Sequence, residues 1–198
     1  MKSKIAGMLA VALLAGPIGT QAAILQVDAS GILTGAAQVS VGGALYDVRF
    51  VEGTCATAFG ACDAAHFTFN NQAAAQSAAE ALLSSVLIDQ FDVNPGKIFG
   101  CTATFCDVQT PYLTQFIPAT APAPTGVLVA LAHNCNEVDA WCPDSVDGAY
   151  GFSTSANTET SPSRVWAVWT SSVPEPGTLA LLGLGLAGLA AGRRRKYV

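Results

Sequence analysis

Hydrophobic and polar residues alternate early in the chain in a way that is typical of antiparallel strands. Residues 32–41 and 44–51 are two such segments, and the pair Gly42-Gly43 between them has the length and type of a two-residue hairpin turn. The second segment has one apolar face (Tyr46, Val48, Phe50) and one charged face (Asp47, Arg49). This alternation predicts a half-buried β-hairpin.

The pattern changes to a helical one over residues 71–90. Apolar residues recur there at spacings of three and four and form one stripe, which consists of Ala75, Ala79, Leu82, Leu83, Val86 and Leu87. Asn70 or Asn71 can cap the start, and Asn94-Pro95-Gly96 prevents continuation. We expect this stripe to pack in the core rather than to line a ligand groove.

Further strands are predicted towards the end of the central region. Residues 67–69, 127–132, 150–153 and 164–170 are strand candidates, and in the last of them Trp166 and Trp169 would lie on opposite faces. Residues 109–126 contain four prolines and are predicted to form a long irregular loop. The predicted fold class is α+β and β-rich, with an antiparallel sheet or sandwich-like domain and one packed amphipathic helix.

The N-terminus has the composition of a secretory signal peptide. Lys2 and Lys4 precede the apolar run 5–15, and small residues follow up to Ala22 and Ala23. This order predicts export through the Sec translocon and cleavage after Ala22 or Ala23. A short buried helix of the folded domain is the alternative.

The C-terminus has the composition of a membrane segment with a basic end. Residues 177–192 carry no charge and would form a helix roughly 24 Å long, which suits a slightly thinned bilayer. Four cations follow, Arg193, Arg194, Arg195 and Lys196, and they favour a cytoplasmic tail. A core helix with a basic end is the alternative.

A tripeptide in front of this segment makes the pattern specific. Pro174-Glu175-Pro176, the apolar helix and the Arg cluster together resemble the PEP-CTERM sorting signal of Gram-negative bacteria, over about the last 26 residues. The resemblance implies recognition by an exosortase, a membrane-embedded transpeptidase that would cut near Pro174-Glu175-Pro176. It also implies a transient inner-membrane intermediate and a product released from or attached to the cell surface. An uncleaved membrane anchor is the rival interpretation.

These features divide the chain into a signal peptide (1–22), a mature secreted domain (23–172) and a sorting signal (173–198). The mature domain holds three cations, Arg49, Lys97 and Arg164, against thirteen Asp and Glu residues. A net charge near −10 repels nucleic acid and could attract divalent cations. Nucleic acid is therefore excluded as a partner.

All six cysteines fall in the mature domain. Their clustering predicts three local disulfides, Cys55–Cys62, Cys101–Cys106 and Cys135–Cys142, although six cysteines permit fifteen pairings. A zinc site is not expected, because no pair has C-x-x-C spacing and the compartment is oxidising. His133 lies two residues before Cys135, but oxidation would remove the thiolate that a Cys/His catalytic pair needs.

Other candidate chemistry is weaker. Four carboxylates near the third disulfide could ligate Ca²⁺, although a solvated acidic loop is the simpler interpretation; they are Glu137, Asp139, Asp144 and Asp147. Trp141 is the tryptophan expected to be exposed, where it could stack on sugar rings. No cofactor is predicted, and no catalytic residue is assigned.

The sequence thus predicts a secreted, non-enzymatic component of the cell surface or matrix. Association with exopolysaccharide and biofilm comes from the family resemblance and from no particular residue. A secreted hydrolase acting on glycans and a Ca²⁺-dependent binding module remain the two alternatives.

Overall fold

The computed structural model describes residues 22–115, 125–136 and 142–172. These residues form seven strands, which are β1 (Ile24–Val27), β2 (Leu33–Val41), β3 (Ala44–Val51), β4 (Phe105–Gln115), β5 (Gly126–Cys135), β6 (Ser145–Ser153) and β7 (Arg164–Ser171). Two α-helices, α1 (Cys55–Phe59) and α2 (Gln72–Ser85), lie between β3 and β4 along the chain. The prediction of a β-rich chain is therefore confirmed.

The strands of the described residues belong to one sheet with the order β1-β2-β3-β7-β4-β5-β6. Every neighbouring pair is antiparallel except β4 and β7, which run parallel. The last strand, β7, lies between β3 and β4 and begins at the same end of the sheet as β4. The prediction of an entirely antiparallel sheet is wrong in this respect, and the described strands form a single sheet rather than two.

The predicted hairpin is confirmed. Gly42 and Gly43 have φ angles of +58° and +85°, which a two-residue turn with both central residues left-handed requires. The turn sets the pairing of Val41 with Ala44, and Val48 and Phe50 are buried as predicted. The sequence analysis missed the edge strand β1, which pairs with β2.

Helix α2 confirms the predicted cap but is shorter than predicted. The Asn71 side chain accepts a hydrogen bond of 2.9 Å from the Ala74 N–H, which satisfies one of the free donors of the first turn. The helix ends at Ser85 instead of residue 90. Val86 and Leu87 both donate N–H bonds to the Leu82 carbonyl and are both buried after the chain leaves the helix. The five-residue helix α1 was not predicted.

Two hydrophobic clusters cover the two faces of the sheet. On β7, Trp166 belongs to one cluster, whereas Trp169 belongs to the other. Helix α2 lies in the larger cluster with Trp169, and Phe59 of α1 packs against the smaller one with Trp166. The prediction that the two tryptophans lie on opposite faces is confirmed, and both are buried.

Three segment predictions need correction. Residues 67–69 form no strand, although Phe67 and Phe69 are both buried. The predicted loop 109–126 overlaps β4, which extends to Gln115, while residues 116–124 lie outside the described residues. Pro111 is tolerated because β7 pairs with β4 only from Asp107 to Gln109, so its missing N–H breaks no bond on that side. Strands β5 and β6 are longer than predicted.

Within the described residues, no helix is long and apolar enough to cross a membrane. The predicted membrane helix 177–192 and the predicted signal peptide fall outside those residues, apart from Ala22. Ala22 is exposed, and Ala23 packs against the larger cluster just before β1 begins.

Candidate functional site

Strand pairing brings three charged or titratable side chains into one row across the sheet. Asp107 on β4 pairs in register with His133 on β5 and with Arg164 on β7. The Asp107 Oδ1 atom lies 2.5 Å from His133 Nδ1, and its Oδ2 atom lies 3.8 Å from Arg164 Nε. Asp107 is largely buried, so these two groups offset the cost of removing its charge from water.

The other ring nitrogen of His133 faces the third disulfide. Its Nε2 atom lies 3.0 Å from Cys135 Sγ and 3.2 Å from Cys142 Sγ. Because the Asp107 carboxylate can only accept, Nδ1 carries a proton and donates it in this hydrogen bond. The imidazole is thus oriented by Asp107 on one side and presented to two sulfur atoms on the other. Asp107, His133, Cys135 and Cys142 are called the His133 cluster below.

Aromatic rings border this row. The Phe105 and His133 ring centroids are 5.3 Å apart, and the Arg164 guanidinium carbon lies 5.0 Å from the centroid of the Phe152 ring. A cation over an aromatic face gains electrostatic stabilisation. The side chain of His133 retains 28% of its exposure, so solvent reaches the His133 cluster from one side.

The three predicted local disulfides are confirmed. Cys55 bonds to Cys62, Cys101 to Cys106 and Cys135 to Cys142, and no described cysteine is free. Cys135 is buried at the end of β5, whereas Cys142 is only half-buried. Among the described residues, the third pair is the one that shares a cluster of metal-ligand atoms with a histidine.

Of the four carboxylates predicted as possible Ca²⁺ ligands, the structure describes Asp144 and Asp147. The Asp144 carboxylate accepts a 2.7 Å hydrogen bond from the Cys135 N–H, which ties the chain after the disulfide back to β5. Burial raises the pKa of Asp144, the Cys135 N–H bond opposes this rise, and the nearby carboxyl of Asp92 adds to it. Glu137 and Asp139 fall outside the described residues. The sequence analysis missed Asp92, which is 52 positions away from Asp144.

Asp147 has a different environment from Asp144. Its Oδ1 atom accepts a hydrogen bond of 3.2 Å from the Ala149 N–H on the exposed edge strand β6. Burial raises the pKa of the Tyr112 hydroxyl, and the negative charge of Asp147 raises it further. Asp144 and Asp147 therefore make separate local contacts.

The tryptophans also separate into two groups. Trp166 Nε1 donates to the Gly53 carbonyl at 2.9 Å, and Trp169 Nε1 donates to Thr110 Oγ1 at 3.1 Å, so both are structural core residues. Trp141, the predicted sugar-stacking residue, lies outside the described residues. On β6, Tyr150 and Phe152 form an aromatic pair with centroids 4.9 Å apart, and Tyr150 is exposed.

An open polar groove of about 340 Å³ lies elsewhere on the surface. Glu52 and Glu159 line it together with small and polar residues from the segments before β4 and before β7. Asp144 and Asp147 do not line this groove, and Glu137 and Asp139 lie outside the described residues.

Sequence reasoning found part of the His133 cluster. His133 and Cys135 are two residues apart in a strand, and this spacing puts their side chains on one face. The sequence around Asp107 does not indicate its contact with His133, because that contact depends on the register between β4 and β5. Arg164 was not predicted as a partner of Asp107 for the same reason, because their contact depends on the parallel pairing of β4 with β7.

Comparison with known proteins gives one match. Residues 172–196 match the family model of the PEP-CTERM protein-sorting motif. No curated protein and no solved structure matches the chain significantly. The match includes Pro174, Glu175 and Pro176 together with the basic residues 193–196, as the sequence analysis predicted. The chain therefore carries a PEP-CTERM sorting motif, which marks it as an exosortase substrate and as a secreted or cell-surface protein of bacteria.

Proposed function

We propose that residues 23–172 form a non-enzymatic component of the extracellular matrix of a Gram-negative bacterium, where they associate with exopolysaccharide. The Sec translocon exports the chain, and the apolar segment 177–192, predicted from sequence to be a helix, holds it in the inner membrane until an exosortase-like transpeptidase cuts near Pro174-Glu175-Pro176. The observation that carries this proposal is the sorting motif at residues 172–196.

The position of the motif supports processing without loss of the fold. Strand β7 ends at Ser171, and the Ser172 N–H donates to the Leu45 carbonyl at 2.9 Å. The Pro174-Glu175-Pro176 segment follows directly, and its two prolines cannot donate to a sheet. Cleavage at this point would leave every strand of the sheet intact.

Disulfides and charge support an extracellular destination. Three disulfides fit a chain that folds in an oxidising compartment. The acidic mature domain would remain soluble and would not bind other polyanions nonspecifically. Attachment to a glycan would therefore depend on polar or aromatic side chains, and Tyr150 and Trp141 are the candidates.

Processing is tested by the intact mass of the protein recovered from outside the producing cells. We expect a product that lacks residues 1–22 or 1–23 and ends near Pro174, with a mass lower by six hydrogens before reduction than after it. The variant with Pro174, Glu175 and Pro176 all replaced by Ala should stay in the membrane fraction with its tail. Replacement of Pro122 and Pro124 by Ala serves as the matched control and should be processed normally.

Matrix association is tested by co-sedimentation with the polysaccharide of the producing organism. We expect binding that enzymatic digestion of the glycan abolishes, and that Trp141→Ala or Tyr150→Ala weakens. Phe99→Ala, at another exposed aromatic residue, is the control. Release of reducing sugar ends by the wild type would instead show a hydrolase. A melting temperature that rises with Ca²⁺ and falls with EDTA would favour a Ca²⁺-dependent module.

A further inference from the structure

The His133 cluster contains a histidine and a carboxylate in addition to the disulfide Cys135–Cys142. The ligand atoms of His133, Cys135 and Cys142 all lie within 4.8 Å of one another. Neither Cys55–Cys62 nor Cys101–Cys106 belongs to such a group in the described part of the chain. A disulfide that only closes a loop does not require an imidazole nitrogen at 3.0–3.2 Å from both of its sulfur atoms.

The donor set specifies a class of cation. One imidazole nitrogen and two thiolates suit thiophilic ions such as Zn²⁺ and Cu⁺, and do not suit Ca²⁺ or Mg²⁺, which require oxygen ligands. Three protein ligands would leave a fourth position of a Zn²⁺ ion open to water. The Cα atoms of Cys135 and Cys142 are 5.8 Å apart, so their side chains can reach a common ion after the bond between them is broken.

Asp107 is placed to orient a metal-binding histidine without touching the ion itself. Metal-binding histidines usually donate the second ring N–H to a carboxylate or carbonyl, which fixes the tautomer and leaves the other nitrogen as the ligand. The Nδ1–H of His133 donates to Asp107, and Nε2 is the nitrogen that faces the sulfur atoms. Arg164 Nε on β7 lies 3.8 Å from the other carboxylate oxygen of Asp107, close enough for charge attraction but too far for a hydrogen bond. The orientation of the imidazole is therefore built into the sheet and does not depend on the ion.

We propose that reduction of Cys135–Cys142 converts the His133 cluster into a site for one thiophilic cation, with His133 Nε2 and the two cysteine sulfurs as ligands and Asp107 as a positioning residue. The disulfide and the metal-bound dithiolate are alternative states of the same residues.

The conversion has two balanced steps. An external dithiol delivers two electrons and two protons and is itself oxidised to a disulfide, so the Cys135–Cys142 bond breaks and two thiols form. A phosphine delivers the two electrons instead, and one water molecule supplies the two protons while its oxygen atom ends in the phosphine oxide. The cation then displaces one proton from each thiol and forms two metal–sulfur bonds and one metal–nitrogen bond. Cys142 and His133 are both partly exposed, which gives the reductant and the cation a route to the cluster.

The test uses the full chain in mild detergent, reduced with a phosphine under anaerobic conditions and then titrated with Co²⁺ as a spectroscopic probe. We expect one equivalent to bind with a thiolate-to-cobalt charge-transfer band and tetrahedral d–d bands, and one equivalent of Zn²⁺ to displace it. The oxidised chain should show no such band. Metal content after gel filtration gives the stoichiometry independently.

Variants separate this site from nonspecific thiol binding. A chain with Cys55, Cys62, Cys101 and Cys106 replaced by Ser keeps the third pair and should retain the band, whereas the Cys135→Ser/Cys142→Ser variant should lose it. His133→Ala should weaken binding more than Asp107→Asn, for which we expect about 10–100-fold, typical of outer-shell partners. His66→Ala, at an exposed histidine, is the matched control.

Three results would overturn the proposal. The first is an equal affinity for Co²⁺ in His133→Ala and wild type. The second is an unchanged thiolate-to-cobalt band in the Cys135→Ser/Cys142→Ser variant. The third is binding of Co²⁺ by the oxidised chain with the same spectrum. Circular dichroism of each reduced variant confirms that the sheet persists. If the four-serine chain does not fold, alkylation and mass mapping of the wild type under partial reduction identifies the pair that Zn²⁺ protects. Sorting of the chain is independent of all of these outcomes.

Discussion

At the scale of single residues, Asp144 couples the end of β5 to the segment that follows α2. Its pKa lies above the ordinary value of 3.8, first because of burial and then because of Asp92, against the lowering effect of the Cys135 N–H bond. The folded protein therefore binds a proton more readily than the unfolded chain in the pH range just above 3.8. The free energy of unfolding consequently decreases as the pH rises through that range.

Removing the neighbouring charge should weaken this dependence. We expect Asp92→Asn to bring the pKa of Asp144 closer to its ordinary value, and to stabilise the protein relative to wild type at pH 7 more than at pH 4. Urea unfolding followed by fluorescence at several pH values measures the difference between the two proteins. Glu80→Gln removes one exposed carboxylate from α2 and is the control. Parallel pH profiles for Asp92→Asn and Glu80→Gln would contradict the prediction.

Trp166 connects β7 to the turn after β3 through one polar atom. The Gly53 carbonyl accepts hydrogen bonds from Trp166 Nε1 at 2.9 Å and from the Thr158 N–H at 3.0 Å. Trp166→Phe removes this donor from a fully buried site and leaves unfilled volume, so we expect a loss of about 1–3 kcal/mol in the free energy of unfolding. Urea unfolding at pH 7 measures it. Leu113→Ala, at an exposed site, should cost far less, and equal losses would contradict this account.

At the scale of elements, β2 and β3 are closely packed at Gly35, which pairs with Arg49. Gly35 has a φ angle of +158°, and a Cβ atom added there would lie 2.2 Å from the Val48 carbonyl oxygen and 3.0 Å from Arg49 Cα. Backbone occupies that space, so the strands would have to separate. We expect Gly35→Ala to reduce the free energy of unfolding by about 2 kcal/mol or more.

Gly96→Ala is the matched control for this substitution. A Cβ atom at Gly96 would have its nearest neighbour at 3.8 Å, which is an ordinary contact distance. Urea unfolding of both variants compares the same chemical change at two sites. A Gly35→Ala variant as stable as Gly96→Ala would show that β2 and β3 can shift apart without cost.

The elements that could be predicted from sequence have local causes. The hairpin follows from Gly42-Gly43, and the start of α2 follows from the Asn71 side chain. Strand β1 could not be predicted in this way, because Ile24 and Val27 are exposed and the strand exists only through pairing with β2. Pro111 was misleading for a related reason: whether a strand tolerates proline depends on which of its edges is paired.

At the scale of the whole molecule, the same limit applies to the His133 cluster. The Cys135–Cys142 bond could be predicted because the two cysteines are only seven positions apart, and a loop this short closes at little entropic cost. The contact of Asp107 with His133 joins residues 26 positions apart, and the Arg164 contact depends on β7 inserting beside β4. Sequence periodicity gives the face on which a residue lies, but strand order and register decide which residues become neighbours.

The charge of the whole mature domain gives a last prediction. Between residues 23 and 172 there are three cations and thirteen anions, and in the described residues both ion pairs involve Asp107. Most carboxylates therefore repel one another without a cationic partner nearby, and compaction increases that repulsion. Raising NaCl from about 10 mM to 150 mM shortens the screening length from roughly 30 Å to 8 Å. We expect the melting temperature of the secreted protein at pH 7 to rise by a few degrees, which corresponds to about 1 kcal/mol.

Calorimetry at both salt concentrations measures this rise. The same salt series at pH 4, where many carboxylates are protonated, is the control and should show a smaller effect. Arg49→Gln provides a second comparison, because it removes one of the few cations from an exposed position of β3 and should steepen the salt dependence at pH 7. A melting temperature that is flat or falls with NaCl at pH 7 would mean that the carboxylates are too far apart, or too well hydrated, for their repulsion to limit stability.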